Sequence, residues 1–183
     1  MKKYLVWLLL STGLAFAAAL PEDSLYQLSS RWENQQGTSV QMVQMRGQIR
    51  VLALIYTHCQ GICPAIVKEM KSLESSLSAS QRARVGFVLV TMDPEVDTVA
   101  RLQEYAREQN LGSAWTLLRG SPEDVRELAA TLDFRYRKTS STDYAHTAMV
   151  TVLDDQGEVA EQQLGLSGRE QIWQKIQKLL AKP

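Results

Sequence analysis

The chain has 183 residues, 45% apolar and 22% charged, ordinary values for a globular protein and enough length for one domain with a sizeable core. Its 20 Lys and Arg cancel its 20 Asp and Glu. No basic stripe and no acidic tail stands out, which argues against nucleic acid as a partner.

The first residues read as a leader rather than as part of the fold. Lys2 and Lys3 form a positive start, Tyr4 to Leu10 begins an apolar stretch that runs on to Phe16, and Ala15-Phe16-Ala17 and Ala17-Ala18-Ala19 are small-x-small cleavage sites. The expectation is a bacterial signal peptide over residues 1–19 and a mature domain over residues 20–183, exported to the periplasm. The competing reading is an uncleaved N-terminal anchor, the one route by which the chain would touch a membrane. The apolar stretch is short against the roughly twenty residues of a spanning helix, which favours cleavage. No cysteine follows it, so a lipoprotein anchor there is excluded.

Leu25 to Glu33 and Thr38 to Met42 read as two strands around the turn signal Asn34-Gln35-Gln36-Gly37. Trp32 is expected to pack on that hairpin. Met42 and Met45 make an M-x-x-M pair, which can bind Cu(I), but buried gap-fillers are the simpler expectation. Arg50 to Thr57 is a buried strand. The helical pattern of Ile66, Met70, Leu73 and Leu77 follows, to end near Ser78. Arg84 to Met92 is a second buried strand, stopped by Asp93-Pro94-Glu95. A helix is expected over Thr98 to Gln109, with Val99, Leu102, Tyr105 and Ala106 inward, then a strand over Trp115 to Leu118. Ser121-Pro122-Glu123-Asp124 opens a helix with Val125, Leu128, Ala129 and Leu132 on its buried face. Phe134 to Tyr144 is polar and reads as a strand end and exposed loop. Thr147 to Leu153 and Glu158 to Leu164 form a hairpin around Asp154-Asp155-Gln156-Gly157. Ser167-x-x-Glu170 reads as a capping box for a last helix carrying Ile172, Ile176, Leu179 and Leu180.

The two cysteines, Cys59 and Cys63, sit together in Tyr56-Thr57-His58-Cys59-Gln60-Gly61-Ile62-Cys63-Pro64, with His58 as one of two histidines. Pro64 suits a first helical turn, where its missing N–H is no loss. Both sulfurs are therefore expected where a buried strand becomes a helix N-terminus, whose partial positive charge and unpaired N–H groups favour thiolate. In an oxidising compartment two cysteines would ordinarily be a structural bridge. A bridge closing so small a loop constrains little, which shifts the reading toward redox cycling or metal capture.

The order hairpin, β, α, β, α, β, α, β-hairpin, α, with the first long strand leading to the cysteines, is the thioredoxin plan. The expected fold is α/β and thioredoxin-like: a central mixed β-sheet flanked by helices, with an N-terminal β-hairpin and an added C-terminal hairpin-helix.

On these residues the chain resembles the Sco/SenC family, copper-handling assembly factors for cytochrome c oxidase. The resemblance runs from about Tyr26 to the C-terminus. It is carried by the lead-in with Gly37 and Gly47, by Tyr56-Thr57-His58-Cys59 with Cys63-Pro64, and by Asp93-Pro94-Glu95 with Asp97-Thr98. Asp143-Tyr144-Ala145-His146, followed by a strand and Asp155-Gln156-Gly157, is similar to the family's distal histidine segment. C-x-x-x-C-P is its specific part. The resemblance implies a copper site made by Cys59, Cys63 and His146. The family commonly carries Pro-Asp between its cysteines. This chain has Gln60-Gly61-Ile62 there and keeps both thiolates without that carboxylate.

Two thiolates and an imidazole suit Cu(I) and accept Cu(II), and the same dithiol without metal can exchange disulfides. His146 is expected at the start of a central strand. His58, adjacent to Cys59, is expected behind the site. Asp93 is expected at the same sheet end, as a supporting or docking contact or simply a turn former. Arg135, Arg137 and Lys138 form either a docking face or a solvated one.

The leading functional expectation is a periplasmic metallochaperone. It holds one copper and passes it to a copper-site apoprotein such as an oxidase subunit, with another periplasmic copper or thiol carrier as a further partner. The alternative is a thiol-disulfide oxidoreductase using Cys59 and Cys63 as its redox pair. A peroxidase is the weakest reading, because Tyr56 and Gln60 stand where a Thr-x-x-Cys would need threonine.

Overall fold

The computed structural model describes residues 19–140 and 143–182. The expected leader falls outside the described residues except for Ala19, as do Ser141 and Thr142 of the polar loop. Among the described residues no helix is long and apolar enough to cross a membrane.

The core is laid down by three strands with almost no polar interruption: β3 (Ile49–Ile55), β4 (Val85–Thr91) and β5 (Trp115–Arg119). Every residue of β4 is buried, and all of β3 but Arg50. Strands covered on both faces need no alternation, and these three run parallel, as such strands do. Phe87 stacks on Trp115 across the β4–β5 pair, with ring centroids 4.8 Å apart. Each side chain of that size contributes about 1.5–3 kcal/mol by leaving water.

Antiparallel strands complete the sheet: β1 (Arg31–Asn34), β2 (Ser39–Gln41), β8 (Met149–Leu153) and β9 (Val159–Leu164). The order is β2-β1-β5-β4-β3-β8-β9. Parallel neighbours need long connections, and these are helical. α1 (Ile62–Ser76) and the short α2 (Ala79–Arg82) join β3 to β4, and α3 (Val99–Glu108) joins β4 to β5. α4 (Pro122–Thr131) follows β5, and α5 (Arg169–Leu180) closes the chain against β9 and α1. Thr98 caps α3 through Arg101 N, and Ser121 and Asp124 form the reciprocal box that opens α4.

Several local expectations need correction. Leu25 to Glu33 is not one strand. Leu25–Gln27 forms a 3-10 helix capped by Ser24, and β1 begins at Arg31. Leu25 and Tyr26 are drawn inward because the segment docks on the β8–β9 turn, where Leu25 N donates to Gly157 O and Ser24 Oγ to Gln156 O. Met42–Met45 forms a second 3-10 helix with both methionine side chains buried, so they fill core space. α2 went unseen because it is a single turn, opened by a Ser78–Gln81 capping box. The Ser167–Glu170 box does not form. Gly168 takes the cap position, packed so closely that a Cβ there would lie 2.4 Å from Gln163 Cβ, and α5 starts one residue later than that box requires.

The polar stretch after α4 is also more ordered than expected. β6 (Tyr136–Lys138) and β7 (Tyr144–His146) make a separate two-stranded sheet, with Tyr136 opposite His146. His146 therefore ends a hairpin arm and does not begin a central strand.

Candidate metal centre

Sheet register explains why residues far apart in sequence meet. β3 runs antiparallel to β8, with Leu52 opposite Thr151 and Arg50 opposite Leu153. The start of β8 therefore lies beside the end of β3, and the residues before one strand meet those after the other. β4 runs parallel to β3, with Thr91 opposite Ile55, so Asp93 leaves at the same end. That end, beyond the carboxyl ends of the parallel strands, is where open α/β sheets gather their ligands.

The chain leaves β3 through Tyr56, turns at Cys59, whose N–H donates to Tyr56 O at 3.2 Å, and enters α1 with Gly61 at the cap. Only Cys63 is in the helix. Cys59 lies in the loop before it, so the pair straddles the helix start. Cys63 is 0% exposed and Cys59 is half-buried at the mouth; both are free thiols. Burial alone would raise the Cys59 thiol. The N–H of Cys63, the Cys63 side chain, the N–H of Gly61 and the Tyr56 hydroxyl outweigh it and pull Cys59 below the ordinary thiol value. Burial pushes the Cys63 thiol up, and the Cys59 thiolate beside it adds to the shift.

His146 Nε2 lies 3.6 Å from Cys63 Sγ. His146 Nδ1 lies 3.0 Å from Thr147 O. A carbonyl only accepts, so the proton sits on Nδ1 and Nε2 turns its lone pair toward the sulfurs. One donor atom from each of Cys59, Cys63 and His146 falls within 4.8 Å of the others, the one such cluster among the described residues. Donors held by one three-coordinate metal at ordinary sulfur and nitrogen distances stand about 3.8 Å apart, so small adjustments would bring this set onto a single ion. The cluster opens into a cleft of about 870 Å³ lined by Cys59, His146, Tyr144, Val96 and their neighbours. Cys63 is fully buried and does not line the cleft.

His58 lines the same cleft as Cys59 and His146 and is not hidden behind them, but its ring faces two carboxylates. Its Nε2 is 3.6 Å from Asp93 Oδ2 and its Nδ1 is 3.8 Å from Asp97 Oδ1. Asp93 is buried and also faces Lys138 Nζ at 3.7 Å, so it stands between His58 and the hairpin. Arg135 reaches exposed Asp133 at 3.6 Å, and Arg137 is exposed. The three basic residues thus do not act as one face.

Several supporting residues carry no spacing signal. Asp97 is fully buried and accepts from Thr57 N at 3.0 Å, Thr57 Oγ1 at 2.6 Å and Thr91 Oγ1. It thereby fixes the backbone entering the cysteine loop. The Tyr56 hydroxyl donates to Asp143 Oδ1. That bond holds the Asp143 carboxyl below its usual range, while burial, then Asp143 and Cys59, push Tyr56 up and keep it a donor. Tyr56, Asp97, Asp143 and Tyr144 all sit in the segments that carry the family resemblance, but their roles depend on the strand register.

A family model described as SCO1/SenC matches residues 22–181. The SCO1 protein homolog of Bacillus subtilis is 29% identical over 100 residues, covering 54% of this chain and 51% of that protein. The chain thus spans about half the length of that relative. Among solved structures, a SCO1/SenC family lipoprotein from Bacillus anthracis superposes with a TM-score of 0.75 at 24% identity, over 85% of this chain and 95% of that one. Bradyrhizobium japonicum ScoI with copper bound superposes with a TM-score of 0.71 at 20% identity, over 82% and 96%. At these identities the superpositions establish the shared fold, which is the thioredoxin-like α/β plan.

Proposed function

The chain belongs to the SCO1/SenC family, and we propose that within it this protein is a periplasmic copper metallochaperone. It holds one copper ion through Cys59, Cys63 and His146 and delivers it to a copper-site acceptor such as a cytochrome c oxidase subunit. The observation that carries this reading is the convergence of two sulfurs and one imidazole nitrogen within 4.8 Å at the mouth of a cleft. Two soft donors and one borderline donor suit Cu(I) above the hard cations. Copper is cargo in this reading. A half-exposed Cys59 and an open cleft suit an ion that must leave again by ligand exchange. Export rests on the leader pattern of residues 1–19; a secreted protein beginning after Ala17 or Ala19, read by its mass, supports it.

The test is a Cu(I) titration of the reduced mature domain against a competing chelator. The expected result is one tightly held copper per chain, lost in Cys63→Ser and weakened at least tenfold in His146→Ala. Unchanged stoichiometry and affinity in both variants contradict the reading.

A second reading is favoured by the contrast between the two thiols. A low-lying, accessible Cys59 beside a buried Cys63 whose proton is held tightly is the asymmetry of a disulfide exchanger. The Cys59 thiolate would attack an acceptor disulfide, and Cys63 would lose its proton and displace the mixed disulfide. Two electrons pass to the acceptor and Cys59–Cys63 is left oxidised. Exchange that survives His146→Ala supports this role, and it is compatible with copper carriage because both use the same sulfurs. Peroxidase chemistry gains no support: Arg101 and Thr57 bond to each other, and further to Glu104, Glu108 and Asp97, instead of activating the sulfur.

A further inference from the structure

The three donors come from two bodies. Cys59 and Cys63 belong to the loop and helix that follow β3, whereas His146 ends the separate β6–β7 hairpin. The Cys63–His146 approach is itself part of the metal site, so something else must set the arm against the cysteine loop. Lys138 reaches Asp93 across 3.7 Å, but that side chain is 39% exposed, a long flexible link.

Tyr56 is better placed. It is 3% exposed and lies three residues before Cys59, and its hydroxyl donates to Asp143 Oδ1 on the arm. The same Asp143 oxygen accepts from Tyr144 N at 2.9 Å, at the first residue of β7. The ring of Tyr56 meets the His146 ring edge-on, with centroids 6.0 Å apart and planes at 85°, and touches Tyr144 at 5.3 Å. His146 also stacks against Phe134, with centroids 5.9 Å apart. One side chain thus bonds the root of β7 and packs against the imidazole at its tip.

We propose that Tyr56 and Asp143 form a latch that presents His146 to the two thiolates, with Tyr56 as a positioning residue for the copper site. This deepens the metallochaperone reading and rests on it for its meaning, though the latch itself can be observed without metal. A second consequence concerns release. Opening the latch would withdraw one of three donors without unfolding the cysteine loop, so an acceptor that competes for the exposed Asp143 carboxylate would weaken the grip on copper.

The test compares wild type with Tyr56→Phe, Asp143→Ala, His146→Ala and the double variant Tyr56→Phe/His146→Ala. Tyr56→Phe keeps the ring and removes only the hydroxyl, and it should fold as wild type does. Cu(I) affinity, measured by chelator competition, should fall about tenfold in Tyr56→Phe and similarly in Asp143→Ala, the worth of one good hydrogen bond. In the His146→Ala background the Tyr56→Phe change should cost clearly less, because only its contact with the Cys59 thiolate is then left to lose. A copper-free reading accompanies it: proton spectra of the reduced domain should show the His146 ring in contact with the ring at position 56 in wild type, and that contact weakened in Tyr56→Phe. Wild-type affinity in Tyr56→Phe, or the same loss with and without His146, overturns the latch. A ring contact as strong as in wild type overturns it too. A wild-type domain that binds no copper while Tyr56→Phe still mobilises His146 leaves the latch standing and removes the chaperone reading instead.

Discussion

Cys59 and Cys63 are four residues apart and live in different surroundings, because one lies at the mouth of the cleft and the other inside the first helical turn. The Cys59 thiol is pulled below its ordinary value and the Cys63 thiol is pushed above it. For an acid, a lowered folded-state value means that ionisation favours the fold. Cys59 thiolate therefore adds stability above the ordinary thiol range, and that contribution is lost as pH falls through its lowered value. Cys63 has the opposite sign, and alkaline pH works against its burial. Iodoacetamide labelling of the reduced, metal-free domain across pH 6–10, read by peptide mass, should modify Cys59 first and at a lower pH than a free thiol; earlier labelling of Cys63 contradicts this assignment. Asp97 works at the same level. Replacing it with alanine strands the buried Thr57 N–H and two hydroxyls, which should cost about 3 kcal/mol in urea unfolding. A loss under about 0.5 kcal/mol would mean that the loop does not depend on this carboxylate.

The elements of the core were legible because their residues repeat. The apolar runs of β3 and β4, the stripe of Ile66, Met70 and Leu73, and the cap of α4 all announce themselves over short windows. The irregular parts were not. Leu25 and Tyr26 look like strand residues, yet the distant Gly157 turn draws them into a 3-10 helix, and Ser167 looks like a cap until Gly168 is seen packed on Gln163. Cys59, Cys63 and His146, which the structure clusters, were named together only through the family resemblance, and the arm that carries His146 was not foreseen, because its two three-residue strands are too short for a period. The docking of the amino-terminal segment has its own test. Gly157 has φ +85°, and a Cβ there would fall 2.6 Å from the Tyr26 ring. Gly157→Ala should lower stability by about 2 kcal/mol through strain and displacement of Tyr26, and leave copper stoichiometry unchanged. A neutral effect on unfolding would show that the segment yields freely.

Taken as a whole, the molecule is a rigid parallel core whose carboxyl-end loops carry the sulfurs, with a small hairpin folded over that end to add the imidazole. The β3–β8 register joins these two parts, which is why His146 reaches the cysteines from the far end of the sequence. The account stands on those three side chains sharing one ion. X-ray absorption at the copper edge of the Cu(I)-loaded, reduced domain counts the donors directly. Two sulfurs and one imidazole nitrogen in wild type, with the nitrogen lost in His146→Ala, is the predicted result. A first shell without sulfur, or one that His146→Ala leaves unaltered, would contradict it.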